Sequence, residues 1–258
     1  MSWLTQTLSS SVGRKLVMAV TGLFLCSFLV IHLLINLQML RHDGGDSFNF
    51  WAHFMASNWL IRAMEFVLMA ALAFHVYDGL YLALKNKKAR GGQAYVVNHS
   101  EQNSGWAAKN MAILGTILLI FLIVHFMNFW VRSRFGILGG LEEVANTKLS
   151  NNEKVDDLFS VAATAFRVPW YVALYVAAQV ALGYHLWHGF RSGFQTLGLN
   201  HRKYTPAIRT AGYGFAVLVS AAFAIIPLVM FFNQDAYVPH APTAEAVQES
   251  LTSLSFFR

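Results

Sequence analysis

The chain has 258 residues, of which 56% are hydrophobic and 12% charged, and its net charge is +6. A soluble domain carries about 25% charged residues, so water is not the only solvent for this chain. Its basic residues stand at the ends of apolar runs, the pattern of membrane topology. They form no basic stripe interleaved with aromatics, which argues against a nucleic-acid surface.

Five apolar runs follow in chain order. They are about Leu16–Leu40 (I), Trp59–Leu84 (II), Ala107–Val131 (III), Val168–Phe190 (IV) and Ile208–Phe232 (V). A hydrocarbon core of about 30 Å takes about 20 residues of helix to cross, and each run is far too long for a buried strand. The expected fold is therefore an all-α integral membrane protein, one domain over residues 1–258 with five transmembrane helices. Run I is uncharged and exceeds the roughly 7–15 residues of a signal h-region, so it reads as a retained helix. Its cysteine, Cys26, is the single one in the chain. That excludes an intrachain disulfide and an iron–sulfur cluster, and Cys26 reads as a packing residue.

The connections set the topology. Arg14 and Lys15 precede run I; Lys85, Lys87, Lys88, Arg90 and Lys109 lie between II and III; Arg191, Arg202, Lys203 and Arg209 lie between IV and V. By the positive-inside rule these regions face the cytoplasm. The 41–57 and 132–167 links carry Asp43, Asp46, Glu142, Glu143, Glu153, Asp156 and Asp157 and face outward. A short surface helix is expected in 132–167. The N-terminus is then cytoplasmic and the C-terminus outside. Trp59, Trp106, Trp130 and Trp170 near the run ends read as interfacial belt residues.

Ten histidines occur, and four sit within runs I to IV: His32, His75, His125 and His185. His188 follows His185 by one turn. His42, His53, His99, His201 and His240 fall in connections or the tail. A single intramembrane histidine often does no more than bond a neighbouring helix. One on each of four helices asks for a shared purpose, because ionisable groups in lipid face the bundle interior and do work. At 1.5 Å per residue, His32 lies ~25 Å from Lys15 and His125 ~24 Å from Lys109, both toward the outer side. His75 lies ~15 Å from Lys85 and His185 ~9 Å from Arg191, both toward the inner side. Two layers of two imidazoles suit axial coordination of two haem irons, His32 with His125 and His75 with His185. A zinc or copper site would cluster its ligands at one depth, often with carboxylate or cysteine. A proton relay would interleave carboxylates, and only Glu65 and Asp78 lie within the runs. C-x-x-C-H is absent, so covalent haem attachment is excluded. Gly79 and Gly189 each follow a histidine by four residues, on the same helix face, and leave room for a porphyrin edge.

These features resemble a known family, the di-haem cytochrome b membrane anchor of succinate dehydrogenase and fumarate reductase, in its single-subunit, five-helix form. The resemblance spans runs I to V. It rests on Gly22-Leu-Phe-Leu with His32 ten residues after that glycine, His75 in F-H-V-Y-D-G, His125 in I-V-H-F and His185 in H-L-W-H-G. It implies helices I–IV around two stacked b haems, with His32, His75, His125 and His185 as axial ligands. The family spacing of histidine, glycine and a further glycine matches His185, Gly189 and Gly198, so His185 is preferred over His188 as the helix IV ligand. His188 is then a haem-propionate contact. Some members carry a glutamate two residues before that ligand for transmembrane proton transfer, and here the position is Gly183.

The resemblance further implies a flavoprotein and an iron–sulfur subunit on the cytoplasmic face of the inner (cytoplasmic) membrane. Electrons then pass between succinate or fumarate and a membrane quinone (menaquinone or ubiquinone). Propionate candidates are Arg14, Lys15, Arg191 and Ser192, with His188. Quinone candidates are Asn36, Gln38, Trp51, His53, Asn128 and Arg167, with Glu65 as a proton exchanger. The alternatives are the cytochrome b subunit of a hydrogenase or formate dehydrogenase, which usually places more than one ligand on a helix, and a haem-free transporter or scaffold.

Overall fold

The computed structural model describes residues 6, 10–90, 106–136 and 144–240. His99, Glu142 and Glu143 lie outside them. In chain order the elements are α1 (Ser11–Asn36, ending in the 3-10 turn Leu37–Leu40), α2 (Asp46–Ser57) and α3 (Trp59–Arg90), then α4 (Trp106–Lys109), α5 (Met111–His125, continued by the π-helical turns Phe126–Val131) and α6 (Arg132–Phe135). The hairpin β1 (Asn146–Lys148) and β2 (Lys154–Asp156) precedes α7 (Leu158–Ala165), α8 (Pro169–Thr196) and α9 (Thr205–Phe232).

Among the described residues the fold is thus all-helical apart from one short hairpin. Four helical segments are each long and apolar enough to cross a membrane: 11–40, 59–89, 111–135 and 205–232. A fifth passes as the pair α7 and α8, bent by 99° at the break between them. The break is local in origin. Phe166 takes a non-helical conformation after α7, and Pro169 supplies the first position of α8, where its missing N–H costs nothing. The helix surfaces are apolar in the manner lipid requires: Val20, Ile31, Leu34, Phe66, Leu84, Ile113, Ile120 and Leu218 are all exposed. Trp59, Trp106 and Trp170 are exposed near helix ends, as belt residues are.

The chain divides into two compact units. The first contains 1–32, 63–120 and 177–221, the second 33–62, 121–176 and 222–258. In the first, α1 and α3 are pinned by a charge pair. Arg14 Nη1 donates to Asp78 Oδ1 at 2.7 Å, and the guanidinium lies 4.0 Å from the Tyr81 ring centre. Lys85 Nζ donates to Ser11 Oγ. Gly193 and Gly212 mark close approaches, to Leu23 at 3.3 Å and to Phe190 at 2.8 Å from where a Cβ would stand.

The second unit has an apolar core of Met39, Phe48, Phe159, Phe166, Ile226 and Met230, with Tyr171, Tyr175 and Tyr237 among them. Beside this core lies a buried polar hub. Asn49 is 1% exposed and Asp157 3%. Asn49 Nδ2 donates to Asp157 Oδ1 at 2.9 Å, and Asn49 Oδ1 accepts from the Phe159 N–H at 2.9 Å. Asp157 also caps α7 by accepting from the Ser160 N–H and hydroxyl, and it pairs with His240 Nδ1 at 2.8 Å. Gly45 is required here: its φ is +91°, and a Cβ would stand 2.3 Å from the Phe159 ring. The link 132–167 holds a short helix, α7, but not at the surface as expected: Phe159, Ala162 and Ala163 are buried in the core, and before it stands a hairpin whose three-residue strands carry no apolar alternation that announces them. Replacing Asn49 by alanine leaves the Asp157 carboxylate and the Phe159 N–H short of partners inside the core. The expected cost is about 2–3 kcal/mol, read as a lowered thermal midpoint in detergent, with the exposed Asn151→Ala as a near-neutral control.

Candidate histidine sites

The helix positions of the four intramembrane histidines follow from the sequence. What the structure adds is the company each ring keeps. His75 stands on α3 and His185 on α8, and their ring centres are 6.1 Å apart with planes at 66°. The ring that meets His75 is that of His185, not of His188 one turn further on. His75 Nδ1 lies 3.3 Å from the Met18 carbonyl and 3.3 Å from Thr21 Oγ1, both on α1. A carbonyl only accepts, so Nδ1 is the protonated nitrogen. The Thr21 hydroxyl hydrogen is already given to the Val17 carbonyl at 2.8 Å. Nε2 of His75 is left as the lone-pair nitrogen, the tautomer that a metal-ligating histidine takes.

Glycines make room for these rings. A Cβ on Gly22 would stand 3.0 Å from His75 Cε1, and one on Gly115 3.9 Å from His185 Cε1. Gly189 has open space where its Cβ would be, and Gly79 meets only Met18 Sδ at 4.0 Å. A Cβ on Gly183 would stand 3.4 Å from Ser220 Oγ. That hydroxyl, Gln179 Oε1 and His185 Nδ1 are buried without hydrogen-bond partners. A buried polar atom left so costs roughly 1–3 kcal/mol.

His32 stands on α1 and stacks on Phe28, ring centres 5.2 Å apart. It belongs to the first unit, and His125 to the second. His125 ends α5, where the backbone widens into π-helical turns, a feature that recurs at functional sites. Its ring packs against Phe121, Phe126 and Phe129. Its Nδ1 lies 3.3 Å from the Tyr175 hydroxyl, which lies 3.0 Å from that of Tyr171, and Asn128 Nδ2 donates to the Tyr171 oxygen at 2.8 Å.

The remaining candidates are dispersed. Arg14 is committed to Asp78 and the Tyr81 ring, while Lys15 and Arg191 are exposed and Ser192 half-buried. Glu65 and Asn36 are half-buried, on α3 and at the end of α1. Trp51 meets Phe50 and Phe54 edge-on. His53 Nε2 lies 3.5 Å from Glu153, Arg167 donates to the Gln234 carbonyl, and Gln38 donates to the Leu34 carbonyl. The residues that sequence reasoning passed over are Met18, Thr21, Gly115, Tyr171 and Tyr175. The two tyrosines left one signal, hydroxyls four residues apart on one face of an apolar helix. Met18 acts through its backbone and leaves none. Among the described residues no three His, Cys, Asp or Glu side chains gather as a metal-ion site.

No family model matches the chain, and no solved structure matches it. A curated protein does: the succinate dehydrogenase cytochrome b558 subunit of Bacillus subtilis (strain 168), 24% identical over 206 residues that cover 80% of this chain and 87% of that protein. A multi-pass helical membrane chain with a histidine on each of four helices is thus similar, over most of its length, to the cytochrome b membrane anchor of succinate dehydrogenase.

Proposed function

We propose that this chain is the membrane anchor and di-haem cytochrome b subunit of a succinate:quinone oxidoreductase in the inner (cytoplasmic) membrane. The observation that carries the reading is the pair His75 and His185. The two imidazoles come from α3 and α8 and their ring centres are 6.1 Å apart, so His75 and His185 would hold one haem iron between them. The Met18 carbonyl holds His75 in the tautomer that presents Nε2, and Gly22 and Gly115 leave the rings clear. The residues therefore fit a haem with two axial histidines, which when bound supplies one-electron redox chemistry. His32 and His125 are proposed as the second ligand pair on their depth in the sequence.

In this reading the N-terminus and the basic 85–109 and 191–209 regions face the cytoplasm, where a flavoprotein and an iron–sulfur subunit dock. The chain's share is to anchor them, to hold the haems and to pass electrons to or from quinone. With both axial positions taken by histidine no position would be left for O₂, which favours electron transfer over oxygen chemistry. Lys15, Arg191, Ser192 and His188 are proposed as haem-propionate contacts, and Asn36, Trp51, His53, Asn128, Arg167 and Glu65 as quinone contacts. Arg14 is assigned to holding α1 on α3, because Asp78 neutralises it.

The test is the absorption spectrum and haem-to-protein ratio of the purified complex. Two b-type haems per chain are expected, with a co-purifying flavoprotein; a spectrum without haem bands overturns the reading. His125→Ala is expected to remove about one haem and His188→Ala none. Retention of both haems in His125→Ala refutes that pairing. Gly22→Val drives side-chain atoms into the His75 ring, and is expected to lower the haem ratio by about one per chain while the chain still inserts.

A further inference from the structure

The second unit holds a hydrogen-bond chain that nothing in the sequence pattern assigns: His125 Nδ1, the Tyr175 hydroxyl, the Tyr171 hydroxyl and Asn128 Nδ2, at 3.3, 3.0 and 2.8 Å in turn. Tyr171 and Tyr175 are 6% and 7% exposed. They stand one turn apart on α8, clamped by Phe166 and Phe121. Two phenols inside an apolar core are costly unless bonded, and here their bonds point to one imidazole.

We infer that Tyr175 is the positioning residue for His125, fixing its ring orientation and its protonated nitrogen, and that Tyr171 and Asn128 polarise Tyr175 for that task. The inference rests on the reading of His125 as an axial ligand. A donor count carries it. Asn128 can only donate to Tyr171 through its amide nitrogen. If His125 carries its hydrogen on Nε2, the chain runs Asn128 to Tyr171 to Tyr175 to Nδ1, with three hydrogens for three contacts. If Nε2 gives its lone pair to iron, Nδ1 must carry the hydrogen and donate to the Tyr175 oxygen. The Tyr175 hydroxyl then turns to Tyr171, whose oxygen accepts it beside the Asn128 hydrogen. The three contacts survive in both states; in the ligated state the Tyr171 hydrogen leaves the chain, or the Asn128 amide turns so that its oxygen accepts it. An acceptor on the far nitrogen of a metal-bound imidazole raises its basicity and holds its plane, and linked hydrogen bonds strengthen one another. A more basic ligand favours the oxidised iron.

The experiment is a redox titration with low-temperature electron paramagnetic resonance on the whole complex, comparing Tyr175→Phe, Tyr171→Phe and wild type. Tyr175→Phe is expected to keep two haems, to raise the midpoint potential of one and to move that haem's low-spin g values, leaving the other unmoved. Tyr171→Phe is expected to shift the same haem in the same direction by less. Unchanged potentials and g values in both variants overturn the inference. If Tyr175→Phe loads no haem at that site, Tyr171→Phe decides alone, and an unshifted haem there overturns it. His125→Ala separates the two failures. If it retains both haems, the ligand reading fails; if it loses one while the tyrosine variants shift nothing, only the positioning role fails.

Discussion

A neutral imidazole inside an apolar helix bundle has one nitrogen that donates and one that accepts, and lipid offers neither a partner. That constraint organises the histidine sites. At His75 it is met from the backbone: the Met18 carbonyl takes the Nδ1 hydrogen, and Thr21 lends an oxygen whose own hydrogen is spent on Val17. At His125 it is met by side chains, through two phenols and an amide in series. At His185 it is left open, with Nδ1 buried and unbonded. Each arrangement disposes of Nδ1 in its own way, and together they bear on which nitrogen is offered to a bound group.

Glycine is the steric counterpart of that electrostatic rule. Gly22 lets α1 come within van der Waals contact of the His75 ring, so that the carbonyl one turn earlier reaches Nδ1. A Cβ at that position would crowd the ring at 3.0 Å, so that ring or helix must give by a few tenths of an ångström. Close approach and tautomer control are thus one feature of α1, set by a small residue and the carbonyl four positions before it.

Buried carboxylates hold elements together elsewhere. Asp157 serves as a hub that caps α7, bonds Asn49 of α2 and receives His240 from the segment after α9. A single buried carboxylate with several donors is cheaper than several buried donors each needing its own acceptor. Arg14 with Asp78 plays the same part between α1 and α3. This is why Arg14, conspicuous in the sequence as a cation ahead of an apolar run, is spent on structure.

The sequence by itself determined the five helices, their approximate ends and the placing of one histidine on each of the first four, because run length and hydropathy are local properties that lipid enforces residue by residue. It also placed Trp59, Trp106 and Trp170 near helix ends. The sequence also paired His75 with His185 by depth and by spacing; the tertiary structure added how near their rings stand, 6.1 Å between centres, because ring facing depends on packing. Tertiary structure alone decided the roles of Met18, Tyr171 and Tyr175. A backbone carbonyl has no residue type to betray it, and a tyrosine in an apolar run reads as packing until its hydroxyl is seen beside a ring nitrogen. The hairpin before α7 escaped for a related reason: its strands are three residues long and held by backbone pairing, which leaves no alternation to read.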